Sequence, residues 1–159
     1  MTRELTDAEV LATTEEMLAI LREPDPDPML FGLLYSLPLS GPNLAKVLGA
    51  VGTTAGMATL QAAGVDLDDP VERARFSVRT HTTMPADDTA GFELAAGELV
   101  NLGCAFVLAD DDFNEAGALA AATNRIVARG PEFTFLTLGA VLSHIRRILH
   151  GDTRGVIRT

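Results

Sequence analysis

Proline and glycine residues interrupt this chain at intervals that leave seven segments of helical length between them. A proline disfavours helical geometry in the residue before it, and glycine commonly follows the last turn of a helix. Within the segments, apolar residues recur at spacings of three and four, which places them on one helix face. The predicted helices cover residues 1–23, 28–35, 41–63, 71–80, 89–109, 112–129 and 131–151.

Length and composition fit one compact domain. A chain of 159 residues is long enough for one buried core and too short to divide into several. Because 47% of the residues are hydrophobic, a disordered chain is excluded. We therefore expect an all-α, single-domain bundle of six to seven helices over residues 1–159. Residues 1–23 form its acidic N-terminal helix, the proline-rich run 24–28 is a stiff linker, and 152–159 is a tail.

Short motifs predict where several helices begin. Thr6 and Glu9 have the spacing of a capping box, in which each side chain bonds to the backbone amide of the other residue. The tetrapeptide 112–115 resembles a second capping box. Asp27 is expected to cap the second helix, with Pro28 in its first turn. Over residues 76–84, β-branched side chains also allow a short strand.

Three stretches are apolar on nearly all sides, namely 29–39, 44–63 and 90–109. A helix of that kind lies either at the centre of a bundle or in a membrane. Gly52 and Gly56 are four residues apart in the sequence, a spacing typical of helices that cross closely. The helices around 44–63 and 90–109 are therefore predicted to be the central pair.

A membrane location is not favoured. Lys46 and Gln61 interrupt the most apolar window, and the chain has no tryptophan and a single tyrosine for an interfacial belt. Three apolar helices leave few amphipathic helices to cover them in a soluble bundle. We therefore expect a homo-oligomer in which a subunit interface covers the surplus apolar surface.

Charge is unevenly distributed along the chain. The net charge is −10, which disfavours nucleic acid as a partner. Residues 1–28 carry eight acids and two bases, whereas residues 116–159 carry two acids and six arginines. The basic side chains near the C-terminus are candidates for an interface with acidic parts of this chain, a second copy or another protein. These interface candidates are Arg146, Arg147, His150 and Arg154.

A ligand cavity is a second possibility, placed between the apolar segments 44–63 and 90–109. Asn101 is a polar residue within an otherwise apolar helix, and such a group can orient a ligand in an apolar cavity. The predicted lining consists of Gly97, Asn101, Cys104 and Phe106. Asn101 is equally consistent with a buried, hydrogen-bonded amide, and Cys104 with an inert packed thiol.

No pattern points to a cofactor, a metal or catalytic residues. The acidic run 110–112 begins like a calcium loop, but Glu115 stands where that loop needs glycine. His144 and His150 are six residues apart, so they do not lie on one helix face as a pair of metal ligands would. Their position near the C-terminus of the last helix is also explained by the favourable interaction of cationic side chains with the helix dipole. Gly49 and Gly52 lie in a helical pattern with no strand before them, unlike a phosphate-binding loop. We expect no cofactor and no metal.

These patterns favour a non-enzymatic helical assembly or interaction protein that self-associates. The lone cysteine and the absence of an apolar leader favour the cytoplasm. The composition also fits an accessory or structural protein of a phage or mobile element. A small-molecule-binding helical domain is the first alternative. An enzyme whose residues converge from separate helices is the second, since one sequence does not reveal such a site.

Overall fold

The computed structural model describes residues 3–38, 41–80, 91–109 and 113–151, with the side chains of 76–80 and 113–115 left out. These residues form seven helices and no strand, which confirms the all-α, single-domain bundle. The helices are α1 (Asp7–Leu21), α2 (Asp27–Ser36), α3 (Gly41–Ala62), α4 (Pro70–Thr80), α5 (Phe92–Leu108), α6 (Phe113–Ala128) and α7 (Pro131–Leu149).

The predicted capping box at the start of α1 is confirmed. The Glu9 amide donates to Thr6 Oγ1 at 3.2 Å, and the Thr6 amide donates to Glu9 Oε1 at 3.1 Å. Arg3 pairs with the same carboxylate at 2.7 Å. The hydrogen bonds from Arg3 and from the Thr6 backbone lower the pKa of Glu9. These local interactions fix the first turn of α1.

The expected start of α2 is wrong by one residue. Pro26, rather than Asp27, is the N-cap, and Asp27 lies inside the first turn without a capping hydrogen bond. Pro26 already has helical backbone angles, and its carbonyl accepts the first helical hydrogen bond from the Leu30 amide at 2.9 Å. The linker predicted over 24–28 is consequently shorter than expected. The sequence also allows a short strand over 76–84. Residues 76–80 are instead part of helix α4, and residues 81–84 lie outside the described residues.

Helices α5, α6 and α7 follow one another in antiparallel order. Arg125 of α6 pairs with Glu98 of α5 at 2.7 Å, and Thr134 of α7 donates to the Ile126 carbonyl of α6 at 3.3 Å. Because both α5 and α7 run opposite to α6, they run in the same direction. Helix α3 packs on α5, α6, α7 and α1, and so forms the centre of the bundle.

Glycines set the distance between α3 and α5. A Cβ atom built on Gly56 would overlap the backbone of Gly103 and Cys104, and one built on Gly103 would overlap the Gly52 carbonyl. The two helices therefore touch through their backbones, a separation that any other residue at these positions would prevent. The close crossing predicted from Gly52 and Gly56 is present, with Gly103 as its counterpart on α5.

Asn43 holds the N-terminal segment against the start of α3. Its side chain is completely buried; Oδ1 accepts from the Leu5 amide at 2.8 Å, and Nδ2 donates to the carbonyls of Arg3, at 2.7 Å, and Pro38. Both amide hydrogens and the oxygen thus have partners, as a buried amide requires. Lys46 Nζ adds a hydrogen bond to the Leu5 carbonyl at 2.9 Å.

The length and apolar character of the helices decide whether any of them could cross a membrane. Among the helices of the described residues, none combines the length and the apolar character that crossing a bilayer requires. Residues 44–62 of the apolar stretch 44–63 lie in α3, of which ten residues are buried, two of them glycines.

Candidate functional site: an exposed apolar face and an adjoining cleft

Helix α2 is strongly apolar, yet none of its ten residues is buried. Phe31 is 62% exposed and Tyr35 is 88% exposed. Isolated apolar side chains on a surface are common, but a whole apolar helix without a buried residue is not. Of the predicted apolar stretch 29–39, residue 39 lies outside the described residues. Leu30, Leu33 and Leu34 pack partly against the core, whereas Phe31 and Tyr35 are covered by no part of the described chain.

A groove of about 500 Å³ lies between α2 and α7. Its apolar walls include Leu30 and Leu34 from α2 and Phe135, Leu138 and Leu142 from α7, and Phe31 and Tyr35 stand at its rim. Two residues of opposite charge, Asp27 and Arg146, border the same groove. We call the set of Leu30, Phe31, Leu34, Tyr35, Phe135, Leu138 and Leu142 the α2–α7 face.

The four basic interface candidates occupy different surroundings. Arg146 donates to the Pro24 carbonyl at 3.1 Å, and His150 Nε2 lies 3.3 Å from the Leu21 carbonyl. Both side chains therefore meet backbone oxygens at and just beyond the C-terminus of α1, where helix carbonyls have no helical partner. Arg147 is exposed and lines a separate cleft. Arg154 lies outside the described residues.

The contacts of Arg146 and His150 connect the basic final helix to the C-terminal end of the acidic first helix within one chain. Helix α1 also packs on α3 and α7 of its own chain. Arg146 additionally lines the groove, and its Nε is buried without a hydrogen-bond partner among the described residues. One of the four candidates therefore borders the α2–α7 face, although it also has an internal role.

A larger cleft of about 830 Å³ lies between α5 and α7. Gly97 and Asn101, two of the predicted cavity residues, line it. Cys104 and Phe106 do not: Cys104 is completely buried, and its Sγ lies 3.5 Å from the Gly56 carbonyl at the α3–α5 crossing. Backbone contact at the crossing of 44–63 with 90–109 leaves no space beside Gly56 and Gly103, and the cleft that Gly97 and Asn101 line lies on the α7 side of α5.

The surroundings of Cys104 also decide its chemistry. Burial raises the pKa of its thiol to about 12, so the side chain is a protonated thiol near neutral pH. A nucleophilic cysteine requires the thiolate. Cys104 therefore packs as a small apolar residue at the helix crossing.

His144 also lines this cleft, and the sequence analysis did not predict its environment. Its Nε2 lies 2.8 Å from Thr59 Oγ1, and the single hydroxyl hydrogen of Thr59 is directed to the Ala55 carbonyl at 2.7 Å. Nε2 must then donate to Thr59, which assigns the proton to Nε2 and leaves Nδ1 as an acceptor. Burial and the Arg147 charge lower the pKa of His144, which favours the neutral ring.

Sequence spacing placed His144 at a helix C-terminus and gave no sign of this contact. Thr59 and His144 are 85 residues apart, and only the packing of α3 on α7 brings them together. Within the described ranges, no three His, Cys, Asp or Glu side chains lie close enough to hold a metal ion. His81 and the acidic run 110–112 lie outside those ranges.

Comparison with known proteins gives no match: no protein-family model, curated protein or solved structure is significantly similar to this chain. The candidate sites are therefore interpreted from their own geometry.

Proposed function

We propose that this protein is a cytoplasmic, non-enzymatic assembly protein that self-associates through the α2–α7 face. The observation that carries the proposal is the exposure of Phe31 and Tyr35 beside an apolar groove, on an apolar helix that has no fully buried residue. Large exposed apolar patches with polar rims are typical of protein–protein contacts, and aromatic side chains dominate the free energy of such contacts. Phe31 and Tyr35 are the aromatic anchors in this proposal.

A second copy of the chain is the occupant that fits the face best. The rim aromatics Phe31 and Tyr35 project beside a groove on the same surface, so a two-fold axis can place the rings of each copy in the groove of the other. The symmetric contact of a dimer pairs a surface with itself in this way. Asp27 and Arg146 border the same groove, and the same axis can bring Asp27 of one copy toward Arg146 of the other.

The aromatic side chains of the α2–α7 face can be compared in area with a protein–protein interface. An aromatic side chain buries about 150–250 Å², so four rings contribute about 600–1,000 Å². Specific interfaces bury about 1,200–2,000 Å² in total. Because Phe31 is only 62% exposed, Phe31 and Tyr35 from two copies would supply at most about half of a standard interface.

Analytical ultracentrifugation tests the proposal. The wild-type chain is expected to sediment as a species of twice 16.8 kDa at micromolar concentration and to dissociate on dilution. A Phe31→Ala/Tyr35→Ala double variant should sediment as the monomer, because it removes both rim rings.

The matched control is Leu11→Ala/Val71→Ala. These two side chains are 60% and 77% exposed, and they lie on α1 and α4, outside the α2–α7 face. The control should retain the wild-type mass. A wild-type monomer at every concentration would overturn the proposal, as would a Phe31→Ala/Tyr35→Ala variant that associates like the wild type.

A further inference from the structure

The cleft between α5 and α7 has two chemically different ends. Because the two helices run in the same direction, the start of α5 and the early part of α7 contribute Phe92, Glu93 and Phe135 to one end. The C-terminal half of α7 contributes His144 and Arg147 to the other. From Phe135 to Arg147 is twelve residues, or about 18 Å along a helix.

The walls between these ends are mostly apolar or small. They include Ala96, Gly97, Val100 and Gly139, and we call the space that these walls border the apolar channel. A volume of about 830 Å³ lies within the usual range for small-molecule sites. The cleft can thus hold an elongated molecule with an apolar body.

The charged side chains at the two ends of the cleft would orient a bound molecule. Arg147 is exposed and has no ion pair with another described residue, so its guanidinium is available to an anion at the His144 end. Asn101 adds an amide that can donate from α5. Glu93 repels an anionic head from the opposite end. A guanidinium binds a carboxylate through two parallel hydrogen bonds, which makes a carboxylate the matching head group.

We infer that this cleft binds an elongated amphiphilic carboxylate of the fatty-acid type, with its head group at Arg147 and its apolar chain directed toward Phe92 and Phe135. The Nε2–H bond of His144 to Thr59 fixes its ring at the same end of the cleft. This site shares Phe135 with the α2–α7 face, but its test measures ligand binding and not the oligomeric state.

Isothermal titration calorimetry with dodecanoate, dodecanol and acetate tests the inference. Dodecanoate is expected to bind with one molecule per chain, dodecanol more weakly, and acetate without measurable affinity. Arg147→Gln should weaken dodecanoate binding by about tenfold or more, because a charge-assisted hydrogen bond is lost. The same variant should leave dodecanol binding unchanged.

Arg22→Gln is the matched control, since Arg22 is an exposed arginine at the C-cap of α1, outside the cleft. It should bind dodecanoate like the wild type. Gly139→Leu tests the apolar channel: Gly139 lines both the cleft and the α2–α7 groove, and a Cβ atom there meets no atom within 4 Å, so a side chain can be added that occupies part of the cleft. It should abolish binding of both twelve-carbon probes.

Three results would overturn the inference. The first is an absence of dodecanoate binding to the wild type. The second is an equal affinity of Arg147→Gln and Arg22→Gln for dodecanoate. The third is binding of acetate as tight as that of dodecanoate, which would assign the site to carboxylates in general and remove the role of the apolar channel.

Discussion

The α3–α5 crossing and the α2–α7 face are both built from apolar sequence, but only the crossing is covered by the rest of the chain. At the crossing, Gly52, Gly56 and Gly103 bring two helix backbones into contact, and the side chains around them are buried. On α2, large side chains such as Phe31 and Tyr35 point away from the bundle. Apolar composition is similar in the two regions, whereas side-chain size and coverage differ.

This difference teaches that small residues complete the interior, while large exposed residues leave apolar surface in contact with water. A helix that packs by backbone contact needs no further partner, because its apolar surface is already removed from water. Helix α2 retains that surface. Substitutions at the crossing should therefore change folding stability, and substitutions on the face should change association.

The largest loss of folding stability is expected at the α3–α5 crossing. Gly103→Val places a branched side chain against the Gly52 backbone, which cannot move aside as a flexible side chain could. Overpacking of this kind costs about 1–3 kcal/mol, and more where backbone is involved, so we expect at least about 3 kcal/mol of lost stability or failure to fold. Urea unfolding followed by circular dichroism measures the loss.

Gly117→Ala is the control for that variant. Gly117 is also a helical glycine, but a Cβ atom there meets nothing within 4 Å. Alanine should increase stability by about 0.5–1 kcal/mol, because it restricts the unfolded chain and favours the helix. If Gly103→Val were as stable as Gly117→Ala, the close crossing would be contradicted.

The second largest effect is expected at Asn43. Asn43→Ala leaves the buried Leu5 amide and the carbonyls of Arg3 and Pro38 without this partner, at a cost of about 2 kcal/mol. The same unfolding assay applies, with the exposed Asn124→Ala as the control, expected within about 0.5 kcal/mol of the wild type. Equal stability of the two variants would remove Asn43 from its anchoring role.

A smaller effect is expected at the start of α1. Thr6→Ala removes the hydroxyl that accepts from the Glu9 amide, and loss of an N-cap typically costs about 1 kcal/mol. Thermal unfolding measures the change, and rescue by Thr6→Ser distinguishes loss of the cap from loss of packing. A Thr6→Ser variant as unstable as Thr6→Ala would contradict the capping role.

The smallest effect on folding is expected on the α2–α7 face. Under conditions where the chain is monomeric, Phe31→Ala/Tyr35→Ala should change the free energy of unfolding by no more than about 0.5 kcal/mol, since both rings are exposed. Urea unfolding of dilute protein measures it. A loss of several kcal/mol would show that the rings belong to the core and would erase the contrast between the two regions.

Much of the fold could be predicted from sequence because its determinants are local. The capping box at Thr6, the glycine–proline break at Gly130, which has a φ of 109°, and the spacing of Gly52 and Gly56 each depend on a few neighbouring residues. The start of α2 was misplaced because two prolines near Asp27 are both compatible with a first turn, and only the backbone angles of Pro26 decide between them.

The candidate sites were only partly accessible to sequence reasoning. Gly97 and Asn101 do line a cleft, but its position beside α7 depends on the direction of α5 relative to α7, which no local pattern encodes. The contacts of Asn43 with Leu5 and of His144 with Thr59 join residues 38 and 85 positions apart. Such pairs arise from packing, so the residue types alone do not indicate them.

Acrylamide quenching of tyrosine fluorescence tests the central claim most directly. The chain contains one tyrosine, Tyr35, and no tryptophan, so its tyrosine emission reports on the α2–α7 face alone. Quenching should be weak at high protein concentration, where a second copy covers Tyr35, and should increase on dilution toward that of free tyrosine. Strong quenching that is the same at every protein concentration would contradict self-association through this face.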